Sequence, residues 1–255
     1  MRTVTATRYV TPLREGGSLP AIVEGDDDGL YVLKFRGAGQ GPKALVAELV
    51  VGELARALGL PVPEIVLAEL DPALGHAEPD PEIQDLIAAS AGLNLGLDFL
   101  PGSLAFDAGA GAALDPALAA SVVWLDALAM NVDRTPRNPN LLVWHGRLWL
   151  IDHGAALYLQ HRGEPLPTQA RRPFPPIAQH VLLPFSGPIG DVDAALAARL
   201  DEPAIRAIAA QIPPAWLPGG DGAGGAGAYA DYLLARLAPP RDFAEEAERA
   251  RAAVA

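Results

Sequence analysis

The stretch MNVDRTPRNPNLLVWHGRLWLIDHG, residues 130–154, combines two aspartates and several asparagines with two short apolar runs. Asp133 is followed by Asn138, then by two short apolar runs, and Asp152 closes the second run. His145-Gly146 separates the runs, so the pattern predicts a hairpin with a two-residue turn. Because a hairpin returns the chain to its starting point, we expect Asn138 and Asp152 to lie side by side.

An amide oxygen beside a carboxylate is a hard-oxygen pair suited to Mg²⁺ bound to phosphates. Asp133, upstream on the same loop, is placed to orient a hydroxyl group for attack. A plain run of turn-forming Asx residues is the alternative, and it accounts well for Asn138-Pro139. It does not account for two aspartates at hairpin-compatible spacing.

Composition narrows the functional classes. The chain has 255 residues, enough for one large domain or two lobes that share a cleft. A formal net charge of -12 argues against nucleic acid and against anionic membrane surfaces as partners. The absence of cysteine excludes disulfides, a thiol nucleophile and Cys-ligated zinc. The first residues lack an apolar leader, and the longest apolar helix is short and interrupted by Asp126, so we expect a cytoplasmic protein.

The order of predicted elements indicates an α+β fold. Strands are expected at 8–13, 19–24 and 30–36 as an antiparallel meander, followed by a helix from Pro42 to a C-terminal Gly59. Further strands are expected at 62–70 and 93–100, with a helix near 83–91 between them. A helix opening at Asp115-Pro116 leads to the hairpin, and the remainder is mainly helical.

A charged pair is predicted in the first part of the chain. Lys34 lies within an apolar strand, where the simplest interpretation is an edge lysine that reaches water. Glu48, however, lies on a helix face made of small and apolar residues, and a carboxylate there needs a cationic partner. Lys34 is the most economical partner for it.

Two other motifs fall short of their templates. Residues 37–44, GAGQGPKA, approach both glycine-rich phosphate-binding patterns, but Pro42 and Ala44 break them, so a flexible connection is the better interpretation. His76-Ala77-Glu78 resembles the start of a deaminase zinc motif, which also requires a cysteine pair. We therefore expect no zinc site.

The chain resembles the HipA-like kinase family, within the protein-kinase-like and phosphoinositide-kinase-like superfamily. The kinase template has Asp, four residues, then Asn, and later Asp-Phe-Gly after a hairpin. Here the corresponding segments are NVDRTPRN at 131–138 and Asp152-His153-Gly154, and residues 48–64 are similar to the family's helix and the segment after it. The departures are His153 in place of Phe and a phosphate loop with only Gly16-Gly17.

The resemblance implies a two-lobed fold, with an antiparallel-sheet lobe at 1–102 and a mainly helical lobe at 103–255. It implies ATP and Mg²⁺ in the cleft between the lobes. The catalytic residues would be Asp133 and Arg134, and the metal ligands would be Asn138 and Asp152. The nucleotide would be bound by Lys34, Glu48, Gly16, Gly17, Ser18, Phe99, Leu100 and Gly102.

The implied function is transfer of the ATP γ-phosphate to a hydroxyl, with a protein Ser/Thr as the first choice of acceptor. A small-molecule kinase of the aminoglycoside type shares the Asp-to-Asn spacing. A pseudokinase that binds nucleotide and regulates a partner is a third interpretation. ATP and an unidentified hydroxyl acceptor are the expected partners, without nucleic acid or membrane.

Overall fold

The structure is a computed structural model that describes residues 1–13, 19–39, 41–110, 114–162, 166–217 and 225–254. Its first part is a five-stranded sheet with two helices. The strands are β1 (Thr3–Pro12), β2 (Ala21–Gly25), β3 (Leu30–Lys34), β4 (Ile65–Leu70) and β5 (Gly92–Asp98), and the helices are α1 (Pro42–Ala57) and α2 (Pro81–Ala89). The expected mixed α+β fold is therefore present.

The sheet closes on itself in the order β1-β2-β3-β5-β4. The predicted meander of β1, β2 and β3 is confirmed, because both pairings are antiparallel. Closure comes from β1, which also runs parallel to β4 over Thr3–Thr5. This parallel pairing corrects the expectation of a purely antiparallel sheet, since a strand pattern does not specify which distant strand becomes a neighbour.

Alternation along β3 assigns the two sheet faces. Tyr31 and Leu33 are buried in the sheet interior, where Val23 and Val66 pack against them. Val32 and Lys34 point to the opposite face and line a large cleft. The period of two along a strand thus separates a packed core from a functional surface on the same segment.

Helix α1 forms where the sequence predicts it. Pro42 occupies its first turn, and it ends before Gly59, which has φ +78° and donates to the Arg56 carbonyl. A glycine in this conformation after a helix is a common C-terminal signal. The helix is buried over most of its surface, which places Glu48 inside the molecule.

The second part of the chain holds a small sheet and five helices among the described residues. β6 (Leu104–Ala105), β7 (Leu141–Trp144) and β8 (Arg147–Leu150) are antiparallel neighbours. The helices are α3 (Pro116–Ala129), α4 (Ile189–Arg199), α5 (Glu202–Ala209), α6 (Ala226–Leu237) and α7 (Asp242–Ala252). Within the described ranges, no helix has the length and apolar character needed to cross a membrane.

The predicted hairpin is present as β7 and β8. Trp144 lies opposite Arg147, and the turn residues His145 and Gly146 have φ values of 49° and 72°. Two positive φ values in a two-residue turn match the twist of the flanking strands. The hairpin thereby brings the segment before β7 next to the segment after β8.

Candidate active site

Lys34, at the end of β3, is held by two carboxylates in the cleft. Its Nζ atom lies 2.6 Å from Asp152 Oδ1 and 3.6 Å from Glu48 Oε2. The sequence predicted the contact with Glu48. It did not predict that Asp152, from a distant hairpin, would share the same ammonium group.

Electrostatics favour the charged forms of the Lys34–Glu48 pair. Burial alone would lower the pKa of Lys34, but the charges of Glu48 and Asp152 outweigh it and raise that pKa above its ordinary value. Burial alone would raise the pKa of Glu48, but the Lys34 charge and the neighbouring His153 hold it well below its usual range. Lys34 and Glu48 are thus both charged at neutral pH, although the Glu48 side chain is only 1% exposed.

Asp152 reaches the cleft because of the hairpin that precedes it. The Ile151 N–H donates to the Asn140 carbonyl at 3.1 Å, which ties the end of the hairpin to its beginning. Asp152 itself has φ 55°, a conformation uncommon for a residue with a side chain. The carboxylate remains 40% exposed, so it is accessible to a ligand in the cleft.

Asp133 lies in the segment between α3 and β7. Its Oδ2 atom accepts hydrogen bonds from the amide groups of Asn138, at 2.8 Å, and Asn140, at 3.2 Å. The Asn131 side chain accepts from the Asp133 N–H at 3.1 Å. Asn138 uses its amide nitrogen in this contact, so its amide oxygen is the atom suited to a metal.

Arg134 does not reach the cleft. Its residue exposure is 1%, and its Nε atom donates to Asp126 Oδ2 at 2.5 Å. Its guanidinium also donates to the carbonyl of Asn140 and, at 3.4 Å, to that of Ile151. The structure therefore places Arg134 behind the loop, where it ties both ends of the hairpin to α3 rather than contacting a substrate.

Asp126 is the centre of a buried network that the sequence interpretation missed. It accepts from Arg134, from Asn131 Nδ2 at 3.0 Å and from His180 Nε2 at 2.9 Å. The Leu182 N–H donates to His180 Nδ1, so the proton of the neutral ring is on Nε2. The available signal was a single carboxylate in the apolar sequence of α3, which had to find partners.

Opposing effects set the protonation of this network. Burial by itself raises the pKa of Asp126, but Arg134 and His180 together hold it well below its ordinary value. Burial lowers the pKa of His180 more than Asp126 raises it. The network is therefore an ionised Asp126–Arg134 pair with a neutral His180 at neutral pH.

The cleft has a volume of about 1470 Å³ and is bordered by both parts of the chain. Phe99 and Leu100, in the connection after β5, line it together with Val32 and Leu141. Gly102 is not among its lining residues and occupies a turn with φ 74°. Gly16, Gly17 and Ser18, the expected loop over the phosphates, lie outside the described residues.

The donor set fits a hard cation held jointly with phosphate groups. Carboxylate oxygens of Asp152 and the amide oxygen of Asn138 are ligands that Mg²⁺ prefers, and Lys34 supplies positive charge beside them. No cluster of three or more His, Cys, Asp or Glu side chains suited to a metal occurs within the described ranges. A metal here would consequently depend on ligand oxygens, as in phosphate-bound Mg²⁺ sites.

Two comparisons with known proteins found matches. A model of the HipA-like kinase family matches residues 7–166, which include Lys34, Glu48, Asp133, Asn138 and Asp152. The crystal structure of CtkA, a proinflammatory kinase of Helicobacter pylori, is similar with a TM-score of 0.59 and 14% sequence identity, and the alignment covers 99% of each chain. At this identity the likeness shows a shared kinase-like fold. No curated protein matches the chain.

Proposed function

The chain belongs to the HipA-like kinase family, and we propose that it transfers the γ-phosphate of ATP to a hydroxyl group in a Mg²⁺-dependent reaction. The observation that carries the proposal is the convergence on one cleft of Lys34, Glu48 and Asp152 with Asp133 and Asn138. Phosphoryl transfer is mainly positioning and charge neutralisation, and this set contains the parts that it needs.

Lys34 is assigned to the phosphates of ATP. The carboxylates around Lys34 raise its pKa above the ordinary value, although burial alone would lower it. The ammonium group is therefore positively charged at neutral pH. Glu48 holds the ammonium from the α1 side and is too buried to bind the nucleotide itself. Phe99 and Leu100 would border the adenine ring.

Asp152 and Asn138 are assigned to Mg²⁺, with Asp152 as the stronger ligand because it carries a charge. When bound, the metal would neutralise charge that develops on the phosphate oxygens. In the structure Asp152 pairs with Lys34. When ATP and Mg²⁺ are bound, Lys34 would contact the phosphates and Asp152 would contact the metal.

Asp133 is assigned to the acceptor. Its carboxylate is held in the cleft by the amides of Asn138 and Asn140, and no cationic side chain among the described residues pairs with it. It would accept the proton of the attacking hydroxyl and orient that oxygen towards the γ-phosphorus. Arg134 would act through the loop, as a positioning residue.

The finer parts of the proposal come from the family. They are a protein Ser/Thr as acceptor, lobes at 1–102 and 103–255, and Gly16, Gly17 and Ser18 near the nucleotide. A cytoplasmic location is proposed from the composition, not from the family. A small-molecule acceptor and a pseudokinase remain the alternatives that experiment has to separate. Incubation of the protein and a lysate with labelled ATP would identify the labelled species and so the acceptor.

The assigned roles are tested by titrating variants with ATP calorimetrically, with and without Mg²⁺. Asp152→Asn should lose both turnover and the Mg²⁺-dependent part of ATP affinity, and Asn138→Ala should show a milder form of the same loss. Asp133→Asn should lose turnover by about 10²-fold or more while binding Mg·ATP nearly normally.

Asp85→Asn, at an exposed position on α2, is the matched control and should behave like the wild type. Loss of Mg·ATP binding in Asp133→Asn with retention in Asp152→Asn would show that the two roles are assigned the wrong way round. A wild-type protein that binds Mg·ATP without turnover would support the pseudokinase, and unchanged binding and turnover in both aspartate variants would refute the site.

A further inference from the structure

His153 occupies the position at which the kinase template has Phe, and it contacts the buried carboxylate that holds Lys34. Its ring is 0% exposed, and its Nδ1 atom lies 3.4 Å from Glu48 Oε1. The other carboxylate oxygen, Oε2, is the one that faces Lys34 at 3.6 Å. Glu48 therefore lies between two nitrogen groups, one at each oxygen.

Glu48 and His153 have few other polar contacts. Within the described part of the chain, neither carboxylate oxygen of Glu48 makes a hydrogen bond, and neither ring nitrogen of His153 does. A buried carboxylate without hydrogen bonds is strongly destabilised unless cationic or polar groups face it. The orientation of the Glu48 carboxylate is therefore decided by Lys34 on one side and His153 on the other.

The backbone on the C-terminal side of His153 lies close to α1. Gly154 packs against α1, and a methyl group added to it would lie 3.6 Å from the Ala44 carbonyl and from Glu48 Oε2. The His153 carbonyl accepts from the Ala156 N–H at 2.9 Å. Asp152 thus contacts Lys34 and the next residue, His153, contacts Glu48, while Gly154 leaves no room for a larger side chain without contact to Glu48.

We propose that His153 is a positioning residue that orients the Glu48 carboxylate and, through it, the Lys34 ammonium in the cleft. The proposal rests on the phosphotransferase function proposed above. The 3.4 Å contact is longer than a good hydrogen bond, and contacts of this kind often tighten when substrate is bound. A Phe side chain would fill the same space but would leave Oε1 facing hydrocarbon.

The test uses His153→Phe and His153→Asn, alone and combined with Glu48→Gln. Asn places an amide nitrogen near the position of Nδ1, so it is the conservative replacement. His153→Phe should lower kcat/KM for ATP on the order of 10-fold, and His153→Asn should recover most of that loss. In the Glu48→Gln background, His153→Phe should change kcat/KM by less than about 2-fold, because the group that it orients is already altered.

His76→Phe, at an exposed position, is the control for replacing a histidine by an aromatic ring. The proposal is overturned if His153→Phe keeps wild-type kcat/KM, or if its loss is equally large in the Glu48→Gln background. If His153→Phe does not fold, His153→Asn against Glu48→Gln provides the same comparison.

A urea-unfolding cycle on the same variants separates this proposal from the proposed function. If the wild type transfers no phosphate, the proposed function fails. The contact between His153 and Glu48 can still be measured, because two interacting residues have non-additive effects on the free energy of unfolding. Additive effects on unfolding would then overturn the role of His153 as well. Turnover in the wild type with additive losses would overturn His153 alone.

Discussion

Replacing Arg134 by Met tests whether this residue supports the loop from behind or takes part in chemistry. The guanidinium is buried, and it pairs with a buried Asp126 at 2.5 Å. Removing one partner of a buried ion pair costs about 3–5 kcal/mol, because the other charge stays buried without compensation. His180 and Asn131 continue to donate to Asp126, so we expect the lower end, about 3 kcal/mol.

Folded domains typically have a free energy of unfolding of about 5–15 kcal/mol. A loss of about 3 kcal/mol is a large part of this, but we expect the variant to remain folded. The double variant Arg134→Met/Asp126→Asn should be more stable than the sum of its single changes by about 2 kcal/mol, because no unpaired carboxylate remains. Urea unfolding followed by both fluorescence and circular dichroism measures the four free energies.

Turnover gives the second measurement. Arg134→Lys keeps a positive charge but cannot donate to Asp126 and two carbonyls at once. It should lower kcat, since Asp133 is its neighbour on the loop, while the affinity for Mg·ATP stays near that of the wild type. The reasoning is refuted if Arg134→Met costs less than about 1 kcal/mol, or if Arg134→Lys loses nucleotide affinity and retains kcat.

Two further expectations concern charged groups. Lys34→Met and Glu48→Gln should each reduce kcat/KM sharply, and the double variant should lose little more than either, because the residues act as a unit; fully additive losses would contradict the pairing. Burial lowers the pKa of His180 from its ordinary value of 6.5. Below about pH 6.5, the His180 side chain therefore binds a proton more readily in the unfolded chain than in the folded protein, which favours unfolding. Tm should therefore fall as the pH decreases from about 7 to 5, and His180→Gln should flatten that slope; an unchanged slope would show that His180 does not contribute.

Local patterns were sufficient for most of the elements around the site. The alternation in β3, the Pro42 start and Gly59 end of α1, and the His145-Gly146 turn each depend on neighbouring residues and on one known geometry. Glu48 was identifiable because a carboxylate on an apolar helix face needs a partner, and Lys34 is within reach of it. These features are encoded within a few turns of chain.

Features that depend on distant segments could not be obtained in this way. The sequence marks Asp126 as an isolated charge in α3, but nothing local connects it to His180. Arg134 follows Asp133 directly, and only the tertiary structure shows that the two side chains point to different environments. The 2.6 Å contact of Asp152 with Lys34 likewise requires the docking of one part of the chain on the other.

The pairing of β1 with β4 affects how the sheet is assembled during synthesis. Residues 3–5 form their parallel ladder with residues 67–69. Contacts between residues so far apart in the sequence form slowly. At about 5–20 residues per second, the ribosome needs roughly 3–13 s between making the first strand and making its partner. During that interval one edge of β1 is open to other chains, as any unpaired strand edge is. The nascent chain thus carries an unpaired edge on β1 until β4 emerges, and slower synthesis lengthens that interval.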